Sequence, residues 1–465
     1  MTPKNQESDS IRRRIAIHVV EPGVRTRKGS LRCEIGKNVE FSTVSLESYF
    51  FARWEAIGYD SLLVAAAVEF GDRTQRRSAY NWQREIDLAV PVHEPDRWSA
   101  PELSEALHDT LEFLTGDRWH IEFYKRREPA PEPTQGSLSL DAGVEAVIPF
   151  SNGLDSRVVG GLIGRELGPR LVRVRLGSRL QDSEALTRRR EPFTSVPYHV
   201  TSGPRPFLES TARSRGFKFA LISSLAAYLA GAHKVIVPES GQGALGPSLV
   251  TVGQGYEDYR SHPLFTIRMG RFVKALLGYD VRFVFPRIWD TKAETLKRFV
   301  DECDGGSCLS RTWSCWQQNR QVSVDHKKRH CGICAACMLR RLSVHAAGLA
   351  EPKERYVWED LSAPTFPAGA AKTFDQKKIT RAMREYAIAG TLHLDHLAAL
   401  LDSPAGPRAL SLSSFQLSEA LGLPELDVFA KFDRLLRQHR AEWKDFMHSL
   451  GQNSFVANWA VSGWS

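Results

Sequence analysis

The 465-residue chain reads as an α/β protein built on a doubly wound parallel sheet, with an N-terminal α+β domain and a C-terminal helical extension. Three observations predict this. Residues 145–238 alternate short apolar runs with helical stretches, the pattern of strands joined by crossover helices. The chain before them has strands and helices of its own and is set off by the stiff, polar stretch REPAPEPTQG, residues 127–136. The chain after about residue 365 has helical patterning only.

The elements follow in order. Residues 1–13 (MTPKNQESDSIRR) are polar and charged and are expected to form a disordered leader. The N-terminal domain, 14–126, has strand-like runs at Arg14–Val20, Glu85–Val92 and Trp119–Tyr124. Two helices accompany them, around Tyr59–Phe70 and Pro101–Leu114. The second lines up Leu103, Leu107, Leu111 and Leu114 on one face and closes at Gly116. No chemical motif is visible there. A linker over 127–140 leads to a domain at 141–350, with strands expected at EAVIPF (145–150), LVRVRL (171–176), YHVTS (198–202) and HKVIVP (233–238). In the extension, 351–465, Val428, Phe432, Leu435 and Leu436 form a stripe that Trp443, Phe446 and Met447 continue, as a core or a subunit contact would.

Hydrophobic residues make up 42% of the chain and charged residues 25%, a globular composition. The formal charge of +8 fits an anionic partner such as a nucleotide, RNA or an acidic protein, and equally a merely basic surface. No signal-peptide pattern opens the chain, and its most apolar long run, Phe219–Ala232, is too short for a bilayer. A cytoplasmic protein without a membrane partner is expected. Seven cysteines, three of them clustered, suit metal binding in a reducing compartment better than a disulfide framework.

The chemistry concentrates in two places. In a parallel sheet, ligands bind beyond the carboxyl ends of the strands. There the chain reads Ser151-Asn152-Gly153-Leu154-Asp155-Ser156 and opens a helix. Unpaired N–H groups and the helix dipole favour an anion, Gly153 permits close approach, and Ser151 and Ser156 add hydroxyls. Asp155 beside a phosphate implies Mg²⁺ between them. The same residues also fit a plain Asx-type turn with helix caps. No GxxxxGK[ST] occurs, and the GxGxxG at Gly241–Gly246 is followed at once by Pro247 with no amphipathic helix, so it reads as a substrate-facing loop.

The second place is Cys315, Cys331, Cys334 and Cys337, spaced C-x15-C-x2-C-x2-C in TWSC…HCGICAAC. Four thiolates make a closed, structural Zn²⁺ site, and Gly332 helps the chain bend. His326 and His330 are weaker candidates for one ligand position, Cys303 and Cys308 have no clear place, and Cys33 reads as an inert core thiol.

Loop and cysteines, in this order, resemble the QueC family, the 7-cyano-7-deazaguanine synthases. These are PP-loop ATP pyrophosphatases of the adenine-nucleotide alpha-hydrolase-like fold, whose loop reads SGGxDS; here Asn152 replaces one glycine. SRGFKFALISSLAA (214–227), with Arg215, is similar to the family's arginine-bearing helix start, and DTKAETLKRF (290–299) to its TKAE segment. The resemblance covers about residues 145–345. It implies ATP, Mg²⁺ and Zn²⁺ as cofactors, and an ATP-dependent carbon–nitrogen ligase. Such an enzyme adenylates the carboxylate of 7-carboxy-7-deazaguanine, releases pyrophosphate, and passes the acyl group to an amine.

The residues it implies for ATP are Ser151, Asn152, Gly153, Leu154, Asp155, Ser156 and Arg157. Asp155, Ser151, Ser156, Arg215 and Lys292 are the catalytic candidates, with Glu294 beside Lys292, and Glu239 and Gln242 the substrate-binding ones. The long flanks are similar to QueC-like proteins of bacterial antiphage systems, of the Qat and CBASS-associated kinds. That implies a partner protein of the same defence operon as amine acceptor. Ammonia-dependent nitrile synthesis, PP-loop tRNA modification and a non-catalytic nucleotide-binding scaffold are the alternatives; Asn152 is the one hint of the last.

Overall fold

The computed structural model describes residues 14–43, 46, 55–77, 82–129, 143–177, 193–203, 206–209, 212–253, 255–303, 309–317 and 322–461. The leader expected at 1–13, most of the linker (130–140) and Cys308 lie outside them.

The first unit contains β1 (Arg14–Val20), β2 (Leu31–Glu34), β3 (Val39–Phe41), α1 (Ala56–Thr74), β4 (Glu85–Val92), α2 (Pro101–Thr115) and β5 (Arg118–Lys125). Its sheet runs β2-β1-β4-β5 with every pair parallel, which corrects the α+β expectation to an α/β arrangement. The physical reason is legible in β4, EIDLAVPV, whose last five residues are all buried, as in a strand covered on both faces. Helix α2 starts at a proline and ends on Gly116 at φ 67°, where a left-handed residue closes the last turn.

The second unit contains β6 (Ala146–Pro149), α3 (Leu154–Leu167), β7 (Leu171–Leu176), β8 (Phe193–Val196), β9 (Tyr198–Val200), α4 (Arg215–Ala230), β10 (Lys234–Ile236), α5 (Pro263–Leu277), β11 (Arg282–Val284), α6 (Lys292–Cys303) and α7 (Ala335–Ala346). Its five-stranded parallel sheet is ordered β11-β10-β6-β7-β8. The chain therefore leaves β6 in opposite directions, and the end of β6 is a topological switch point. The YHVTS strand is not part of this sheet: β9 pairs antiparallel with β3 of the first unit. Phe193–Val196, unforeseen from sequence, takes the edge beside β7 instead.

Val147, Val172, Val174 and Val235 face one side of the sheet and Ala146, Ile148, Leu171 and Ile236 the other. The first face shares a single hydrophobic core with β1, β4, α1 and α2 of the first unit. Helix α1 is buried at every position from Ile57 to Asp72, as a helix enclosed on all sides must be. After α7 come α8 (Arg381–Ala399), α9 (Gly406–Leu421) and α10 (Glu425–Leu450). The stripe foreseen on α10 is core: Val428, Phe432, Leu435 and Leu436 pack with Leu245 and Ile288, while Trp443, Phe446 and Met447 pack around the cysteines. Among the described residues no helix is long and apolar enough to cross a membrane.

Candidate active site and metal centre

The loop after β6 is folded by its own hydroxyls. Ser151 Oγ accepts from Gly153 N at 3.0 Å and lies 2.9 Å from Ser156 Oγ, which accepts from Ser151 N at 3.1 Å. Gly153 is the N-cap of α3 and carries no capping side chain, so the first amides of the helix are not closed by a cap. A Cβ on Gly153 would stand 3.0 Å from Ser151 Oγ, so the tightness of the turn favours glycine.

Asn152 has a clear structural role. Its Oδ1 accepts from Arg157 Nη2 at 3.0 Å and from Arg175 Nη2 at 3.2 Å, and its carbonyl accepts from Trp313 N at 2.7 Å. A glycine could supply the carbonyl contact and not the other two. Trp313 sits in the TWSC segment, which Arg340 of α7 anchors by donating to Thr312 Oγ1 at 2.7 Å and Ser314 Oγ at 3.2 Å. The cysteine unit is thereby tied to the loop. Arg175 was missed from sequence, although arginines at 173 and 175 inside a buried strand are a polar anomaly that marks the spot.

Lys292, the first residue of α6, reaches across to the loop. Its Nζ is 2.7 Å from Asp155 Oδ2 and 3.8 Å from Glu239 Oε1, the latter just beyond β10. A cation at a helix N-terminus opposes the dipole. Burial also works against its charge, yet the Asp155 and Glu239 carboxylates raise the Lys292 pKa overall. Burial and then the Asp155 charge push Glu239 up to about 8, against the pull of Lys292. Thr291 and Glu294 form a capping box: Thr291 N donates to Glu294 Oε2 at 2.7 Å and Glu294 N to Thr291 Oγ1 at 3.1 Å. Glu294 also pairs with Arg434 of α10 at 2.6 Å.

Leu154 is buried against Val158, Leu162 and Leu296, and serves packing. Gln242 is buried; its Oε1 accepts from Lys292 N at 2.8 Å and its Nε2 donates to His439 Nδ1 at 2.7 Å. Arg215 opens α4 with its guanidinium 5.4 Å from the Phe219 ring centre, and its side chain has no hydrogen bond or ion pair among the described residues. His439 and Glu442 escaped the sequence reading. Both continue the apolar stripe of α10 at helical spacing, and a buried polar pair in such a stripe is the available signal.

The four cysteines converge. Their sulfurs all lie within 4.8 Å of one another, and all four residues are buried. Zn–S bonds of about 2.3 Å in a tetrahedron place sulfurs about 3.8 Å apart. Cys331 and Cys337 Sγ stand 3.8 Å apart. Backbone amides of Cys331 and Gln317 point at Cys315 Sγ at 3.2 and 3.3 Å, and those of Ile333 and Cys334 at Cys331 Sγ at 3.5 and 3.3 Å. Such donors stabilise thiolates. Gly332 turns the chain at φ 88°, and a Cβ there would be 2.9 Å from the Trp358 carbonyl. His330 stays outside the cluster, its ring 4.3 Å from Trp313, and burial lowers its pKa to about 4. His326 is exposed at a turn.

Residues 246–348 match the family model described as queuosine biosynthesis protein QueC. Over 106 residues the chain is 30% identical to the 7-cyano-7-deazaguanine synthase of Allorhizobium ampelinum and 31% to that of Agrobacterium fabrum, in each case 23% of this chain and 38% of the relative. The synthase of Brucella ovis is 35% identical over 79 residues, 17% of this chain and 29% of the relative. The matched stretches thus span well under half of each relative's length. The family segment holds Lys292 and all four cysteines; the loop at 151–156 lies before it and joins it through Asp155 and Asn152.

Proposed function

We propose that the chain is an ATP-dependent carbon–nitrogen ligase of the PP-loop type, on a doubly wound sheet, which adenylates a carboxylate of the 7-carboxy-7-deazaguanine class. The observation that carries this reading is the meeting of Lys292, from the family-matched segment, with Asp155 of the loop at 2.7 Å, at the switch point of a parallel sheet. In the reaction a carboxylate oxygen attacks the α-phosphorus of ATP and displaces pyrophosphate. An amine nitrogen then attacks the acyl carbon and displaces AMP.

The loop amides, Ser151, Ser156 and Arg157 hold the pyrophosphate, and Lys292 neutralises charge as it departs. Asp155 would hold Mg²⁺, a hard cation that would supply the same neutralisation and draw the neighbouring Glu239 toward its ionised form. Cys315, Cys331, Cys334 and Cys337 would hold Zn²⁺ as a structural ion, which would keep the TWSC segment, hence Asn152, in place. Support for an intact rather than a retired loop comes from Asn152, whose amide oxygen ties two arginines to it. Support against thiolation comes from Cys33 and Cys303, whose thiols burial pushes up, away from the reactive thiolate. The acceptor amine belongs to a partner protein, in keeping with the added N-terminal unit and helices and with the resemblance to antiphage QueC-like proteins.

The test is incubation with ATP, Mg²⁺ and 7-carboxy-7-deazaguanine, with and without ammonia or a protein encoded alongside. AMP and pyrophosphate are expected, and their absence under every condition refutes the ligase reading. Conversion to the nitrile with ammonia alone assigns the chain to ordinary 7-cyano-7-deazaguanine synthesis.

A further inference from the structure

Helix α10 lies outside the family-matched segment, yet Arg434, His439 and Glu442 all reach residues 242–294. We propose that His439 and Glu442 are positioning residues for Lys292, acting through Gln242 and Thr291. This rests on the nucleotide-site reading of Lys292 and extends it to a part of the chain that the family match does not reach.

The hydrogen-bond directions leave one consistent arrangement. His439 Nε2 lies 2.9 Å from the Leu394 carbonyl, which can only accept, so Nε2 carries the proton. Burial keeps the ring neutral, lowering its pKa to about 4, and Nδ1 is left as a bare lone pair. Gln242 Nε2 donates to it at 2.7 Å, with Glu442 Oε2 3.4 Å away as a second acceptor. That orients the Gln242 amide so that Oε1 faces Lys292 N at 2.8 Å. Lys292 N is one of the first amides of α6, which have no partner within the helix. A flipped Gln242 would set an NH₂ group against that N–H, donor against donor.

Glu442 acts on the neighbouring residue. Thr291 Oγ1 donates to Glu442 Oε1 at 2.5 Å, which leaves its lone pairs for Glu294 N in the capping box. The first turn of α6 is therefore held on both sides of the Lys292 backbone from one face of α10. There is little slack in the seat: a Cβ on Gly241 would lie 2.3 Å from the Ile288 carbonyl and 2.4 Å from Leu435 of α10. With its backbone fixed, the Lys292 ammonium stands between Asp155 and Glu239.

Two variants of one residue separate positioning from bulk support. The Oδ1 of an asparagine is as many bonds from Cα as Nδ1 of histidine, so His439→Asn keeps the acceptor for Gln242 and loses the bond to Leu394. His439→Gln keeps a donor at the Nε2 position and loses that acceptor. The first readout is the acylation rate of Lys292 by an amine-directed reagent, followed by mass spectrometry of the full-length protein well below its melting temperature. The second is the rate of AMP formation.

His439→Gln is expected to raise Lys292 labelling several-fold and to lower kcat by about tenfold to a hundredfold, more than it changes KM. His439→Asn is expected to bring both back toward wild type. Equal labelling of Lys292 in the two variants overturns the proposal, whatever their activity. If wild type forms no AMP while labelling follows the expected order, the ligase reading falls and the positioning stands. Should the histidine variants not fold, Glu442→Ala against Glu442→Gln repeats the comparison through Thr291, with the same labelling rise expected in the alanine variant alone.

Discussion

Replacing Lys292 by methionine removes an ammonium with little change in length, and the cost can be worked from the distances. At an effective dielectric of about 20, a unit-charge pair at the observed 2.7 Å is worth about 6 kcal/mol, and one at 3.8 Å about 4 kcal/mol. Most of this does not appear as stability. Glu239, pushed up to about 8 even with Lys292 in place, is already largely protonated at pH 7, so the longer interaction contributes little. Relief of the lysine's own desolvation offsets part of the shorter one. Breaking a buried pair costs about 3–5 kcal/mol, and side-chain exposures of 11% and 22% here put the net below that range, about 2–3 kcal/mol. Urea unfolding at pH 7 of wild type, Lys292→Met, Asp155→Asn and the double variant measures the coupling directly. A coupling below about 0.5 kcal/mol would refute the reasoning, since that is the range of an exposed surface pair. Loss of AMP formation should accompany Lys292→Met and Asp155→Ala, with the fold of the latter intact.

Zinc analysis of the purified chain is expected to find one ion per molecule, and Cys331→Ser should lose both metal and stability, because binding to a structural site is folding free energy. A soluble, fully active Cys331→Ser protein would remove the zinc assignment. Burial raises Glu442 to about 7 from an ordinary 4.5, so the folded state holds its proton to higher pH than the unfolded state does. Its contribution therefore favours folding at low pH and fades as pH climbs from 4.5 through 7, by about 3 kcal/mol in all. Glu442→Gln should accordingly gain stability over wild type at pH 8 relative to pH 5; parallel pH–stability curves would contradict the buried, protonated carboxyl. In the first unit, Asp72→Asn leaves Arg77 and Arg84 to share Asp117, which both reach at 2.6 Å, so one buried positive charge goes uncompensated and the cost should be about 3–5 kcal/mol by thermal or urea unfolding.

What could be read from the chain alone was whatever is written locally. Strands β1, β4 and β7 begin and end where their apolar patterning says, although Arg173 and Arg175 interrupt the last. The CGICAAC spacing brings three of the four sulfurs together locally, and Cys315 joins them from 16 residues before Cys331. Direction of pairing is not local. YHVTS has the same alternation as its neighbours, and only the approach of β3 from 160 residues upstream makes it an antiparallel ribbon. In the first unit the apolar end of β4 marks a strand covered on both faces, but the order β2-β1-β4-β5 depends on where the helices pack. In the site, Ser151, Asp155 and Lys292 were legible as motif residues. His439 and Glu442 were not, because their partners lie about 150–200 residues away and the surrounding stripe is hydrophobic.

The core shared by the two parallel sheets bears on what can be cut from this molecule. Ile17, Leu88 and Trp119 of one unit and Phe217, Leu225 and Phe272 of the other belong to the same buried cluster. Helix α1 adds Glu69 and Asp72, which bind Lys218 and the Ser214 amide of the second unit at 2.6 and 2.7 Å. A chain severed between residues 129 and 143 is therefore expected to yield two pieces that each present an open apolar face and fold only together, which co-expression of the two against either piece alone would test.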